Sequence, residues 1–163
     1  MKNKSILEQE FMSLVKNYER VIYNVCTFYM SETSPLEDLY QEIVLNLWKA
    51  FPCFRKESQT STWIYRIALN TCISDLRRNV KLRQNVPLSF SEHIISEQDT
   101  KSAEIQELYS LIYKLNKIER TVILLWLEEK PYQEIADITG FSVANVATRL
   151  KRTKEKLKNM SNQ

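Results

Sequence analysis

Ala144, Asn145, Thr148, Arg149 and Arg152 recur at steps of three and four residues, which gathers them along one side of a helix. Their chemistry is recognition, not bond-making. An arginine fork matches the paired acceptors of a guanine edge, a carboxamide can bridge an adenine edge, and hydroxyls and further cations serve phosphates. Ser142 and Lys154 stand at the two ends of the set. A helix with such a face fits the major groove of DNA. Catalytic chemistry has no comparable constellation: no nucleophile–base pattern and no glycine-rich phosphate loop occurs. Cys26, Cys53 and Cys72 are widely spaced, and with His93, the only histidine, they give no metal-ligand spacing. We expect no catalytic residue, metal or cofactor, hence no enzyme. Each cysteine, among apolar neighbours, is expected in a core.

The elements that must hold that face run from Pro131 to Leu157 and read as two short helices around a tight turn. Ile135, Ala136 and Ile138 give the first helix an apolar side, and Ala136 is small enough for close packing. Gly140, the only glycine of the chain, stands where that helix must stop and can take positive φ. Ser142 suits the N-cap of the second helix, and Val146 and Leu150 turn back onto the first. A plain helical hairpin with a solvated basic end shares some of these features. The position of the glycine and the small residue four before it favour a helix-turn-helix.

Over 163 residues, 44% are apolar, enough for a core, and one Gly with four Pro implies mostly helix. No apolar run approaches the roughly 20 residues of a membrane span. The start, MKNKSILEQEF, lacks the apolar centre of a signal peptide, so a cytosolic, nucleoid-associated protein without membrane insertion is expected. Net charge is only +3 but unevenly placed. Arg149–Lys158 holds six basic residues and one acid, Asp75–Arg83 four and one, and Gln84–Glu107 between them five acids and one lysine. Two basic patches around an acidic stretch suggest two sites for a polyanion and a linker that it repels.

Periodicity supplies the remaining helices. One long helix is expected over Ser5–Tyr29, with Leu7, Phe11, Leu14, Val15, Tyr18, Ile22, Val25, Cys26 and Tyr29 inward. Ser34-Pro35-Leu36-Glu37 reads as a capped start, with Ser34 as the cap and Glu37 reaching back, for a second helix that buries Leu36, Leu39, Tyr40, Ile43, Val44, Leu47 and Phe51. A polar loop to Thr62 leads to a third helix near Trp63–Val80, burying Ile64, Ile67, Ala68, Cys72 and Leu76. Its other side carries Arg66, Asn70, Ser74 and Arg77. After the linker, Ile105, Leu108, Ile112 and Leu115 resume the pattern, and Asn116 with Glu119 forms a second capping pair before Lys117–Glu128. The fold expected is all-α: two small helical domains, 1–83 and 103–160, joined by an acidic flexible linker, 84–102.

Taken from Phe11 to Leu157, the chain resembles a bacterial RNA polymerase sigma factor of the extracytoplasmic-function type. DLYQEIVLNLWKAF (Asp38–Phe51) is similar to that family's polymerase-binding helix, and WIYRIALNTCISDLRR (Trp63–Arg78) to its −10 recognition and melting helix. ERTVILLWLEEKPYQEIADITGFSVANVATRLKRTKEKL is similar to region 4, which reads the −35 element. The resemblance implies core RNA polymerase as partner, with Asp38, Gln41, Glu42, Asn46 and Trp48 docking on the β′ coiled coil and region 4 on the β flap. It implies promoter DNA, with Ser58, Thr60, Ser61, Trp63, Arg66, Asn70, Arg77 and Arg78 at the −10 element. Stacking a captured base on a ring such as Trp63 contributes about 1–3 kcal/mol. At the −35 element it implies Ser142, Ala144, Asn145, Thr148, Arg149, Arg152 and Lys154. An anti-sigma factor is a further partner common to this class. By the same analogy the linker, with Glu92, Glu97 and Asp99, passes near the catalytic cleft; a solvated tether explains it equally well.

Two departures bear on promoter choice. Leu115-Asn116 stands where Leu-Pro is frequent, and Ala144-Asn145-Val146-Ala147 replaces a Gly-Thr-Val triplet followed by a basic residue. Asn145 can bond an adenine edge, whereas Ala147 adds no charge. Two other functions fit parts of the sequence. A stand-alone regulator would need only the C-terminal motif, and its specific binding would survive deletion of residues 1–85. A sigma-like adaptor would bind polymerase but need another factor to choose the promoter.

Overall fold

A computed structural model describes residues 3–82 and 103–163, with side chains throughout except over residues 76–82. All regular structure among the described residues is helical. The expected linker, 84–102, with Glu92, Glu97 and Asp99, and the side chains of Leu76, Arg77 and Arg78 lie outside the described residues. The chain divides into two compact units, Met1–Met30 with Ser34–Arg78, and Ser31–Thr33 with Asn79–Gln163.

The first unit comprises α1 (Lys4–Asn17), α2 (Glu19–Tyr29), α3 (Leu36–Ala50), a 3-10 turn (Phe51–Cys53) and α4 (Thr60–Leu82). The single first helix expected from the sequence is two. Tyr18, at φ −111° and ψ 14°, interrupts it, although its N–H still reaches the Leu14 carbonyl at 3.1 Å. The break lets α1 and α2 follow different surfaces: Phe11 is the one fully buried residue of α1, whereas Ile22, Val25, Cys26, Phe28 and Tyr29 of α2 are all core. Apolar period alone could not show it, because the stripe continues in phase through the bend.

Leu39, Ile43 and Leu47 of α3 and Ile64, Tyr65, Ala68, Leu69 and Cys72 of α4 complete this core. Tyr40, Val44 and Ile67 are only half-buried. The expected cap of α3 is a correction. Pro35 is the N-cap residue and no side chain caps the helix. The Ser34 hydroxyl instead donates to Asp75 Oδ2 of α4, tying the start of one helix to the side of another. The third helix also starts three residues before its expected position, so Thr60 and Ser61 belong to its first turn. Trp63 N–H bonds the Gln59 carbonyl at 3.1 Å.

Of the cysteines, Cys26 and Cys72 are buried, and burial pushes the Cys26 thiol up to about 12 and Cys72 well above its ordinary range. Cys53 is exposed, against the expectation that all three are core residues, because the 3-10 turn that carries it faces solvent. An alkylating reagent followed by mass spectrometry should therefore modify Cys53 in the native protein, and Cys26 and Cys72 only with denaturant. The raised thiol of Cys26 has a sign for pH as well. Its protonated form is favoured by folding, so stability holds below pH 9.0 and falls as pH rises from there towards about 12.

The second unit comprises α5 (Ala103–Ile112), α6 (Lys117–Leu127), α7 (Tyr132–Thr139) and α8 (Val143–Ser161). The capping pair forms as expected: Asn116 Oδ1 accepts from Glu119 N at 2.9 Å, and Glu119 Oε2 accepts from Asn116 N at 3.0 Å. Lys156 of α8 adds a salt bridge to the same carboxylate at 3.1 Å. Val122, Ile123, Leu124 and Leu125 of α6 pack with Ile135 and Ile138 of α7 and with Val146 and Leu150 of α8 as this core. Ile105 and Leu108, expected inside, are 42% and 36% exposed, whereas Leu111, Ile112 and Leu115 are buried. Only the last turn of α5 meets the core. Among the described residues no helix is long and apolar enough to cross a membrane.

Candidate nucleic-acid interface

The turn between α7 and α8 is set by backbone geometry. Gly140 closes α7 at φ 82°, its N–H bonding the Ala136 carbonyl at 2.8 Å. A Cβ there would meet nothing within 4 Å. Gly140→Ala therefore costs the left-handed backbone alone, about 1–2 kcal/mol. Urea denaturation should register that loss, with no side chain on the exposed face of α8 displaced.

Two residues on, Ser142 caps α8, its hydroxyl accepting from Asn145 N at 3.1 Å. Val146 and Leu150 are fully buried and Thr153 nearly so, which turns the opposite face outward. Ala144, Thr148, Lys151 and Arg152 are exposed on it. Thr148 bonds back to the Ala144 carbonyl at 3.0 Å, so its hydroxyl is partly committed.

Three other cations of the run have partners. Arg149 Nε donates to Asn145 Oδ1 at 2.9 Å, and the guanidinium carbon lies 4.6 Å from the centre of the Phe141 ring. Lys154 Nζ sits 3.9 Å from the centre of the Trp126 ring, on the α6 side of the helix. The even basic run read from the sequence is thus divided. Lys151 and Arg152 stand in solvent, whereas Arg149, Lys154 and Lys156 each have a partner within their own unit. Phe141 was missed in the sequence; its place directly before the N-cap, with a helical arginine eight residues on, is the signal available for it.

In the first unit, Arg66, Asn70 and Ser74 are exposed at four-residue steps along α4. Trp63, at the head of this stripe, is half-buried and part of an aromatic string. Trp48 meets Phe11 at 5.0 Å, Phe11 meets Phe51 at 5.4 Å, and Phe51 meets Trp63 at 6.5 Å. Phe54 stacks on Trp63 at 4.3 Å and 22°. One face of the indole is therefore covered, and Phe54 is a second residue that the sequence reading overlooked. Ser58, Thr60 and Ser61 are half-buried. Lys56, at φ 56°, turns the chain before them.

On α3, Asp38 and Gln41 are exposed and Glu42 is half-buried. Asn46 faces inward, its Nδ2 donating to Thr71 Oγ1 at 2.9 Å, and Thr71 in turn bonds the Ile67 carbonyl at 2.7 Å. Trp48 lies against Phe11. The face open to a partner is a stripe of Asp38, Gln41, Leu45 and Lys49, with Leu45 half exposed at its centre. Leu45 escaped the sequence reading because an apolar residue was assigned no role outside the core. Among the described residues no group of His, Cys, Asp and Glu could hold a metal ion.

Comparison with known proteins matches these two units separately. The family model described as Sigma-70 region 2 matches residues 14–81, and that described as Sigma-70, region 4 matches residues 105–157. The chain is similar to the RNA polymerase sigma factor YlaC of Bacillus subtilis, with 28% identity over 97% of this chain and 93% of that protein. It is also similar to the ECF RNA polymerase sigma-E factor of Haemophilus influenzae, with 27% identity over 93% of this chain and 87% of that protein. Among solved structures, the sigma factor RpoE of Bartonella quintana, crystallised with the anti-sigma factor NepR, shares the fold. Its TM-score is 0.68 at 18% identity, covering 95% of this chain and 96% of that one. CnrH, solved with the cytosolic domain of CnrY, gives 0.67 at 23% identity, covering 95% and 89%.

Proposed function

The chain belongs to the sigma-70 family, in its extracytoplasmic-function group, and from this premise we propose that it directs core RNA polymerase to promoters by holding them at two points. The observation that supports the reading is the pairing in one chain of two exposed surfaces of different character. One is a capped recognition helix with an ordered arginine, and the other is a long helix that exposes Arg66, Asn70 and Ser74 beside a stacked Phe54–Trp63 pair. The first suits an intact major groove at the −35 element. The second suits unpaired bases at the −10 element, where an aromatic ring and amides replace the stacking and pairing that melting removes.

The domains assigned are 1–83 for −10 recognition, melting and polymerase binding, 84–102 for the linker, and 103–160 for the −35 element. Polymerase docks on the α3 stripe of Asp38, Gln41 and Leu45 through the β′ coiled coil, and on region 4 through the β flap. Asn46 and Trp48 support that stripe from behind. An anti-sigma factor competes for these surfaces. The protein works on the nucleoid in the cytosol. It supplies no chemistry of its own, since nucleotide addition belongs to the polymerase.

Run-off transcription with core enzyme and a promoter library tests this reading. Initiation at defined sites, dependent on the added chain, is expected. Core binding without any defined start would overturn it.

A further inference from the structure

We propose that Asn145 and Phe141 are positioning residues that hold Arg149 for one base pair, and that Asn145 reads no base itself. This rests on the reading of α8 as the −35 helix. Asn145 and Arg149 are four residues apart on α8, in its first and second turns. An adenine edge needs both ends of a carboxamide, Oδ1 to accept from N6 and Nδ2 to donate to N7. In this protein Oδ1 already accepts from Arg149 Nε at 2.9 Å. Reading adenine would ask that one oxygen to serve two donors at once, in the orientation that Nε already fixes.

The same contact selects how Arg149 can act. Its Nε is taken, which leaves the two terminal nitrogens as the fork that matches guanine O6 and N7. Phe141 supplies the second constraint, its ring centre 4.6 Å from the guanidinium carbon. Phe141 is itself half-buried, and its N–H bonds Thr139 Oγ1 at 3.3 Å. The ring thus belongs to the helix-turn-helix turn, and it meets an arginine two turns into the next helix. A flexible cation restrained on both sides loses less freedom on docking than a free one.

The test uses the full chain with core RNA polymerase and duplexes randomised over the upstream element, sequencing those retained. Asn145→Ala and Phe141→Leu should each lose preference at the same base pair as Arg149→Ala, about tenfold. Neither should add to the loss in a double mutant with Arg149→Ala. Asn145→Asp separates the two roles. It keeps the acceptor for Nε and removes the donor that adenine N7 requires, so the preference should survive while all sequences bind more weakly. Phe141→Tyr should restore what Phe141→Leu loses.

Loss at a different base pair in Asn145→Ala, additivity with Arg149→Ala, or loss of preference in Asn145→Asp would overturn the inference while leaving promoter reading intact. If Phe141→Leu does not fold, the Asn145 pair decides alone. A wild-type protein that enriches no sequence overturns promoter reading, and this inference with it.

Discussion

Arg149→Ala is expected to abolish most of the preference at one base pair of the −35 element, a loss of about 1–3 kcal/mol, or roughly five- to 150-fold. The size follows from geometry. The guanidinium is already ordered by Asn145 Oδ1 and the Phe141 ring, so its removal forfeits a prepaid contact. Binding to unrelated duplex should fall little, because the general attraction comes from cations that stand in solvent. Lys151→Ala and Arg152→Ala are the counterpart. Each should weaken all sequences alike and reduce the salt slope by about one phosphate contact. Lys154, which the resemblance places in the same set, is a weaker choice because its ammonium lies 3.9 Å from the centre of the Trp126 ring. Fluorescence titration of the variants over a salt series, on matched and mismatched duplexes, separates the two behaviours. Equal loss on every duplex for Arg149→Ala would refute its role.

Arg120→Ala carries the largest expected cost in stability. Arg120 is 9% exposed in α6, just before the apolar run Val122–Leu127. Its Nη2 donates to the carbonyls of Tyr113 at 2.9 Å and Leu115 at 3.2 Å, and its guanidinium carbon lies 5.6 Å from the centre of the Tyr113 ring. It therefore seals the turn between α5 and α6, where carbonyls have left one helix and not entered the next. Removing it strands two carbonyls at about 1–3 kcal/mol each. A unit of this size has only about 3–9 kcal/mol in total. Arg120→Met, which keeps apolar bulk but no donor, should cost nearly as much. Thermal or urea unfolding of the full chain should show an earlier transition for the second unit in both variants. A methionine variant as stable as the parent would mean that packing, not carbonyl capture, is what Arg120 provides.

Several features were legible in the sequence because their causes are local. Gly140 needs positive φ, Ser142 needs only the next three residues to cap, and Asn116 with Glu119 closes its box within four. The inward positions Leu39, Ile43, Leu47, Val146 and Leu150 follow from helical period. Resemblance over both units supplied the family, and the residue types of α8 supplied the expectation of a groove-reading helix.

The remaining features depend on what packs against what. Ser34 has the composition of a cap, but the arrival of Asp75 from α4 gives its hydroxyl a better partner. Tyr18 breaks a helix whose apolar stripe runs on unbroken, because α1 and α2 pack along different surfaces. Trp63 could have offered an open ring; Phe54 stacks on it. Asn46 could have met a partner; Thr71 takes its amide. The sequence alone determined that this chain is two helical units with basic, amide-bearing faces. Which cations stay open to DNA, and which are held by a neighbouring ring or carboxylate, was decided only by the tertiary structure. A side chain's partner is chosen by distances that the order of residues along the chain does not contain.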